Sequence, residues 1–123
     1  MSLARVTEIF ETLAPKSVAP ADFTSADAYA DVTGGLLDAQ GKTRVVFTIT
    51  DTHAANGITW KVLASIDNVT YVEVLAEATL AALATASYVA SATETSYRYF
   101  KIQVKSTVGG AHGKAQVRGY AKM

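Results

Sequence analysis

The sequence predicts an all-β fold, an antiparallel β-sandwich or jelly roll of about seven or eight strands. Three observations predict it. Residues 58–66 (ITWKVLASI) alternate as a strand, and after Asp67-Asn68 residues 69–75 (VTYVEVL) return as its hairpin partner. Residues 97–106 (YRYFKIQVKS) repeat the alternating habit. Turn-forming clusters then punctuate the chain about every ten residues. An α/β fold with a parallel sheet would need several helical segments between strands, and one candidate exists.

The elements follow in order. Leu3, Val6, Phe10 and Leu13 have near-helical spacing, but residues 6–13 are rich in β-branched and aromatic side chains, which favour an extended strand. Pro15 and Pro20 each remove a backbone donor and bias their predecessors towards extended conformations. Residues 1–24 are therefore expected to be an extended N-terminal arm or first strand, and residues 25–123 the sandwich. Residues 25–33 read as a weak strand ended by Gly34-Gly35, with a short edge piece at Leu36-Leu37. Residues 43–51 form a strong strand with Val45, Phe47 and Ile49 on one face and Arg44, Thr48 and Thr50 on the other; Val46 interrupts the polar row.

In the central hairpin, Ile58, Trp60, Val62, Ala64 and Ile66 share a parity and should face the core, opposed by Val72 and Val74. Residues 76–86 have high helix propensity and predict a short Ala-rich helix or a crossover loop between sheets. Strand patterning resumes over 87–93 and again over 97–106, where Phe100, Ile102 and Val104 point inward. Residues 114–122 close the domain with Val117 inward. Trp60, Phe47 and Phe100 mark the expected core.

The 123-residue length suits one domain with one core. Only 18% of residues are charged, below the soluble-domain average of about 25%. Eleven basic and eleven acidic residues cancel, with no basic run, which argues against a nucleic-acid partner. There is no cysteine, so disulfides, thiolate nucleophiles and Cys-based zinc sites are excluded. No apolar run approaches a membrane span, and no export signal is visible at the N-terminus.

Chemistry-bearing patterns are sparse. The two histidines, His53 and His112, fall in predicted loops, and Asp51 near His53 is a possible pair. Glu73, Glu77 and Glu94 are eligible glycosidase carboxylates, but nothing lifts them above surface residues. No phosphate-binding loop, zinc-protease helix or nucleophile elbow is present. The sequence thus predicts no enzyme and no cofactor. Trp60, Tyr71, Tyr97 and Tyr99 lie on predicted strands; an exposed set could stack on sugar rings, but the parity of Trp60 places it in the core. Tyr97 and Tyr99 lie opposite Phe100 in parity and are the main interface candidates, together with Val6, Phe10 and Leu13 of the arm.

The motif W-x-V-x-x-S-x-D-x-x-x-Y of Trp60 to Tyr71, and Y-R-Y-x-x-I-x-V-K-S of Tyr97 to Ser106, resemble segments of small virion proteins of tailed bacteriophages. The resemblance spans about residues 43–122 and implies a β-sandwich assembled on a virion. It further implies a non-enzymatic capsid decoration or cement protein that partners the major capsid protein or other virion proteins, self-associates as a trimer or dimer, and is assembled in the host cytoplasm. A tail or neck component and a carbohydrate-binding module are the alternatives. On this view the arm lies on a neighbouring subunit, and its removal abolishes particle binding while leaving a folded sandwich.

Overall fold

The computed structural model describes residues 22–33, 35–40 and 42–122. The candidate arm residues Val6, Phe10 and Leu13 lie outside the described residues. Among the described residues nine strands fold as β1 (Phe23–Thr24), β2 (Ala30–Asp31), β3 (Leu37–Asp38), β4 (Arg44–Asp51), β5 (Ile58–Ser65), β6 (Val72–Leu80), β7 (Thr85–Val89), β8 (Tyr99–Ser106) and β9 (Lys114–Lys122). One sheet has the order β1-β9-β4-β7. The other has β2-β8-β5-β6, with β3 also pairing β8. Every pairing is antiparallel.

That order is a jelly roll. Strand β1 pairs β9, β2 and β3 pair β8, β4 pairs β7 and β5 pairs β6, so the chain folds back on itself as one long hairpin rolled into two sheets. β2 and β3 together make one interrupted edge strand, meeting β8 at Ala30↔Val104 and Leu37↔Phe100. The predicted all-β sandwich or jelly roll is therefore the observed fold.

Alternation builds the core. β4 sends Val45, Phe47 and Ile49 inward and leaves Arg44 exposed. β8 sends Phe100, Ile102 and Val104 inward, all fully buried. Trp60 is 2% exposed, with Phe47 and Phe100 at 0%, so the three core markers lie where their parity places them. Burying side chains of this size contributes about 1.5–3 kcal/mol each.

Five local expectations are corrected. Residues 76–86 hold no helix. The strand continues to Leu80, held by Ile58↔Leu80, Thr59↔Thr79 and Trp60↔Ala78. Helix propensity differs by only tenths of a kcal/mol per residue, and ladder pairing with burial of Leu80 outweighs it. The crossover between sheets is a tight turn at 81–84, where Ala84 N–H donates to the Ala81 carbonyl (3.1 Å) and Leu83 adopts φ 63°. Ile66 is not inward: β5 ends at Ser65 and Ile66 is 71% exposed.

Val72 is also outward, at 43% exposure, because the β5–β6 register shifts twice, between Trp60 and Val62 and between Val62 and Leu63. Finally, β8 begins at Tyr99. Tyr97 follows a single helical turn, Glu94–Ser96, and packs against the core. Ser91 Oγ accepts from Glu94 N–H (3.2 Å) while the Glu94 carboxylate accepts from Ser91 N–H (2.9 Å), a reciprocal cap of the capping-box kind. The weak strand expected over 25–33 condenses to Ala30–Asp31.

Candidate interaction surface

The outer face of the β2-β8-β5-β6 sheet gathers the residues that alternate away from the core. Lys61 Nζ lies 4.3 Å from the Tyr29 ring centre and Lys105 Nζ 4.9 Å from it. The Tyr29 hydroxyl donates to Glu77 Oε2 at 2.6 Å. Lys61 pairs with Glu73 (3.0 Å), Lys105 with Glu77 (3.6 Å) and Lys101 with Asp31 (3.2 Å), while Lys101 also covers the Tyr71 ring at 4.2 Å. Gln103 Nε2 donates to Asp31 (2.8 Å). At the end of the sheet Arg98 forks onto both oxygens of Asp38 (2.8 and 2.9 Å) and lies over Tyr99.

Burial, then the Glu77 carboxylate, pushes the Tyr29 hydroxyl upward. The Tyr29 hydroxyl, then the Lys105 ammonium, holds Glu77 below the usual carboxylate range. Each exposed ion pair is worth about 0–1 kcal/mol. More important is that Lys61, Lys101, Lys105 and Arg98 each already have an anion and an aromatic ring. This face satisfies its own polar groups.

The two predicted interface tyrosines have different surroundings. Tyr99 sits on this face, half-buried beneath Arg98. Tyr97 belongs to the core boundary instead. The structure does not bring the two together as one exposed patch.

The histidine loops follow the C-terminal ends of β4 and β8 and meet where Asn56 Nδ2 donates to the His112 carbonyl (3.0 Å). His53 Nδ1 accepts from the N–H groups of Ala55 (3.0 Å) and Asn56 (2.9 Å), so the ring serves as a loop cap. Asp51 Oδ1 accepts from His53 N–H (2.9 Å). Ser106, His112 and Asp27 form a triad by composition: Ser106 Oγ is 2.8 Å from His112 Nδ1, and Asp27 Oδ1 is 3.9 Å from the same nitrogen. A nucleophilic relay needs its two partners on opposite ring nitrogens, with an accessible hydroxyl. Here both face one nitrogen, and Ser106 is 4% exposed and shared with Ser25 Oγ (2.8 Å). The geometry is that of a loop clasp. Among the described residues no group of three or more His, Asp or Glu side chains is set to hold a metal ion.

The sequence reasoning missed the β5–β6 tip. There Ile66 is 71% and Val69 80% exposed. The loop that displays them is locked. Ser65 Oγ accepts from Asp67 N–H (3.1 Å) and Asn68 N–H (2.9 Å) and donates to Asp67 Oδ1 (2.9 Å). Asp67 Oδ1 in turn accepts from Val69 N–H (2.8 Å) and Thr70 N–H (3.0 Å), and these backbone donors hold its carboxyl below the usual range. Asn68 takes φ 62° and accepts from the Tyr71 hydroxyl. The signal was present in Ser65-Ile66-Asp67-Asn68, whose polar side chains cap their own backbone. Beside the tip, Leu36, Val69, Tyr71 and the Asp31–Lys101 pair line a depression of about 510 Å³.

No family model matches this sequence, and no curated protein does. Among solved structures, the chain is similar to a subunit of the Bacillus endospore appendages, described as disulfide-linked pili (13% identity, 84% of this chain and 83% of that one, TM-score 0.44). It is also similar to the infectious bursal disease virus VP2 subviral particle (15% identity, 84% and 29%, TM-score 0.43). A third similarity is to the carbohydrate-binding and catalytic modules of Clostridium thermocellum xylanase 10B (8% identity, 83% and 25%, TM-score 0.47). Likenesses this loose carry no argument; the strand order of the chain itself is what defines its fold.

Proposed function

We propose that this chain is a non-enzymatic structural subunit of a virion, a capsid decoration or cement protein that binds the shell through an apolar contact. The observation that carries the reading is the locked β5–β6 tip. A loop held by five hydrogen bonds presents Ile66 and Val69 to solvent. Ordering a loop to expose apolar side chains costs free energy unless a partner covers them. The self-satisfied sheet face and the clasp geometry of Ser106–His112–Asp27 support a non-catalytic role. The motif resemblance to tailed-phage virion proteins supplies the setting.

The test is quantitative mass spectrometry of purified particles, separated into heads and tails. The expected result is a fixed copy number per shell in the head fraction. Recovery with tails alone would favour a tail or neck component, and absence from particles would overturn the virion reading. A carbohydrate-binding role is less supported, because Trp60 is buried and Tyr29, Tyr71 and Tyr99 lie against cations.

A further inference from the structure

The outer face of the β1-β9-β4-β7 sheet is polar along most of its length, with Thr50 Oγ1 bonded to Thr85 Oγ1 at 2.9 Å and Thr48 registered between Ser87 and Arg118. One row breaks the habit. Val46 stands between Val89 on β7 and Tyr120 on β9. Val89 is 68% exposed, and Arg44, Val46, Val89, Ala90 and Tyr120 line a depression of about 460 Å³. This volume falls in the range of sites that seat small groups of side-chain size and larger, ~300–1,000 Å³. Arg44 at its rim is exposed and has no ion-pair partner among the described residues.

The tip and this groove are complementary. The tip carries two branched apolar side chains flanking an ionised Asp67. The groove carries an apolar row flanked by a cation. We infer that copies of this chain dock on one another, the β5–β6 tip of one copy entering the Val46–Val89 groove of the next with Asp67 facing Arg44. The two surfaces are different, so the contact is heterologous and extends to a ring or an array. Each surface offers only a few exposed apolar side chains, less than the ~800 Å² per partner of a stable free complex, so the contact forms at high local concentration. The inference uses the same tip that the virion reading turns towards the shell, so a tip engaged by the shell alone excludes it, and the experiment separates the two.

The absence of cysteine makes the test clean. Val69→Cys and Val89→Cys are made singly, at exposed positions where each variant is expected to fold, which a thermal melt checks. One carries a mass tag. The two are mixed at high concentration and oxidised mildly. The expected product is the mixed 69–89 disulfide, well above its statistical proportion, and reduced about five-fold when Arg44→Glu is added to the Val89→Cys chain. Products in statistical proportion, homodimers alone, or no cross-link would overturn the inference. So would a Val69→Asp variant that loses particle binding while the parent chain stays monomeric at every concentration, since the tip would then serve another protein.

Discussion

Replacing Trp60 by alanine separates a buried anchor from a sugar-stacking platform. Trp60 is 2% exposed in the middle of β5, registered between Ala78 of β6 and Val104 of β8. Large-to-small changes at such sites cost about 3–5 kcal/mol, because the lost transfer energy adds to the cavity left behind. A domain of this size has about 5–15 kcal/mol in total. Trp60→Ala should therefore lower the melting temperature by roughly 15–30 °C. Trp60→Phe behaves differently. The indole Nε1 is buried without a hydrogen-bond partner among the described residues. Removing that donor relieves about 1–3 kcal/mol of uncompensated desolvation, which offsets the packing lost with the smaller ring. The phenylalanine variant should stay within ~1 kcal/mol of the parent in urea titrations. An alanine variant with an unchanged midpoint would refute the core assignment, and a phenylalanine variant as unstable as the alanine one would show that Nε1 has a strong partner.

Three further predictions follow from the same geometry. Ser65→Ala removes two acceptor contacts and one donor contact from the tip and should cost about 1–3 kcal/mol in chemical denaturation. Gly113→Ala would place a methyl 2.8 Å from the Asn56 carbonyl oxygen and 2.7 Å from Ile58 Cγ2; because one obstacle is backbone, it should destabilise by about 1–3 kcal/mol. Asp38 is held below the usual carboxylate range by the Arg98 guanidinium, and Glu94 by the Tyr88 hydroxyl and then the Ser91 N–H. Lowered carboxyl values stabilise the fold fully above the unfolded value, and that contribution disappears as pH falls through the lower folded value. The melting temperature should thus hold level from neutral pH to about 5 and fall below about 4, with a shallower fall in Arg98→Ala.

The sandwich is legible wherever one face of a strand is buried and the other wet. Val45, Phe47 and Ile49 on β4 and Phe100, Ile102 and Val104 on β8 follow strict alternation into the core. Legibility fails where tertiary pairing outweighs a local preference of tenths of a kcal/mol. The alanines of 76–82 prefer a helix on their own, but β5 presents an open ladder and Leu80 a place in the core. Parity also fails beyond Ser65. Its buried hydroxyl captures the loop backbone, ends the strand and turns Ile66 outward. The two register shifts between β5 and β6 are invisible in sequence, because they depend on which strands meet, and they put Val72 on the wet side.

One irregularity is visible in the sequence itself, and its meaning depends on topology. Val46 breaks the polar row of β4, and a single outward valine on an exposed strand means nothing by itself. It becomes a surface only because β7 and β9 flank β4 and bring Val89 and Tyr120 into its row. The same logic separates the two faces of the molecule. On the β8–β5 face every outward charge meets an opposite charge or a ring, so contact with a partner would have to break bonds already made. At the tip and in the Val46 groove Ile66, Val69 and Val89 are exposed, and these apolar side chains lose only water when covered. Association through those apolar side chains therefore begins with a desolvation gain, which is the condition under which small contact areas can hold an assembly together.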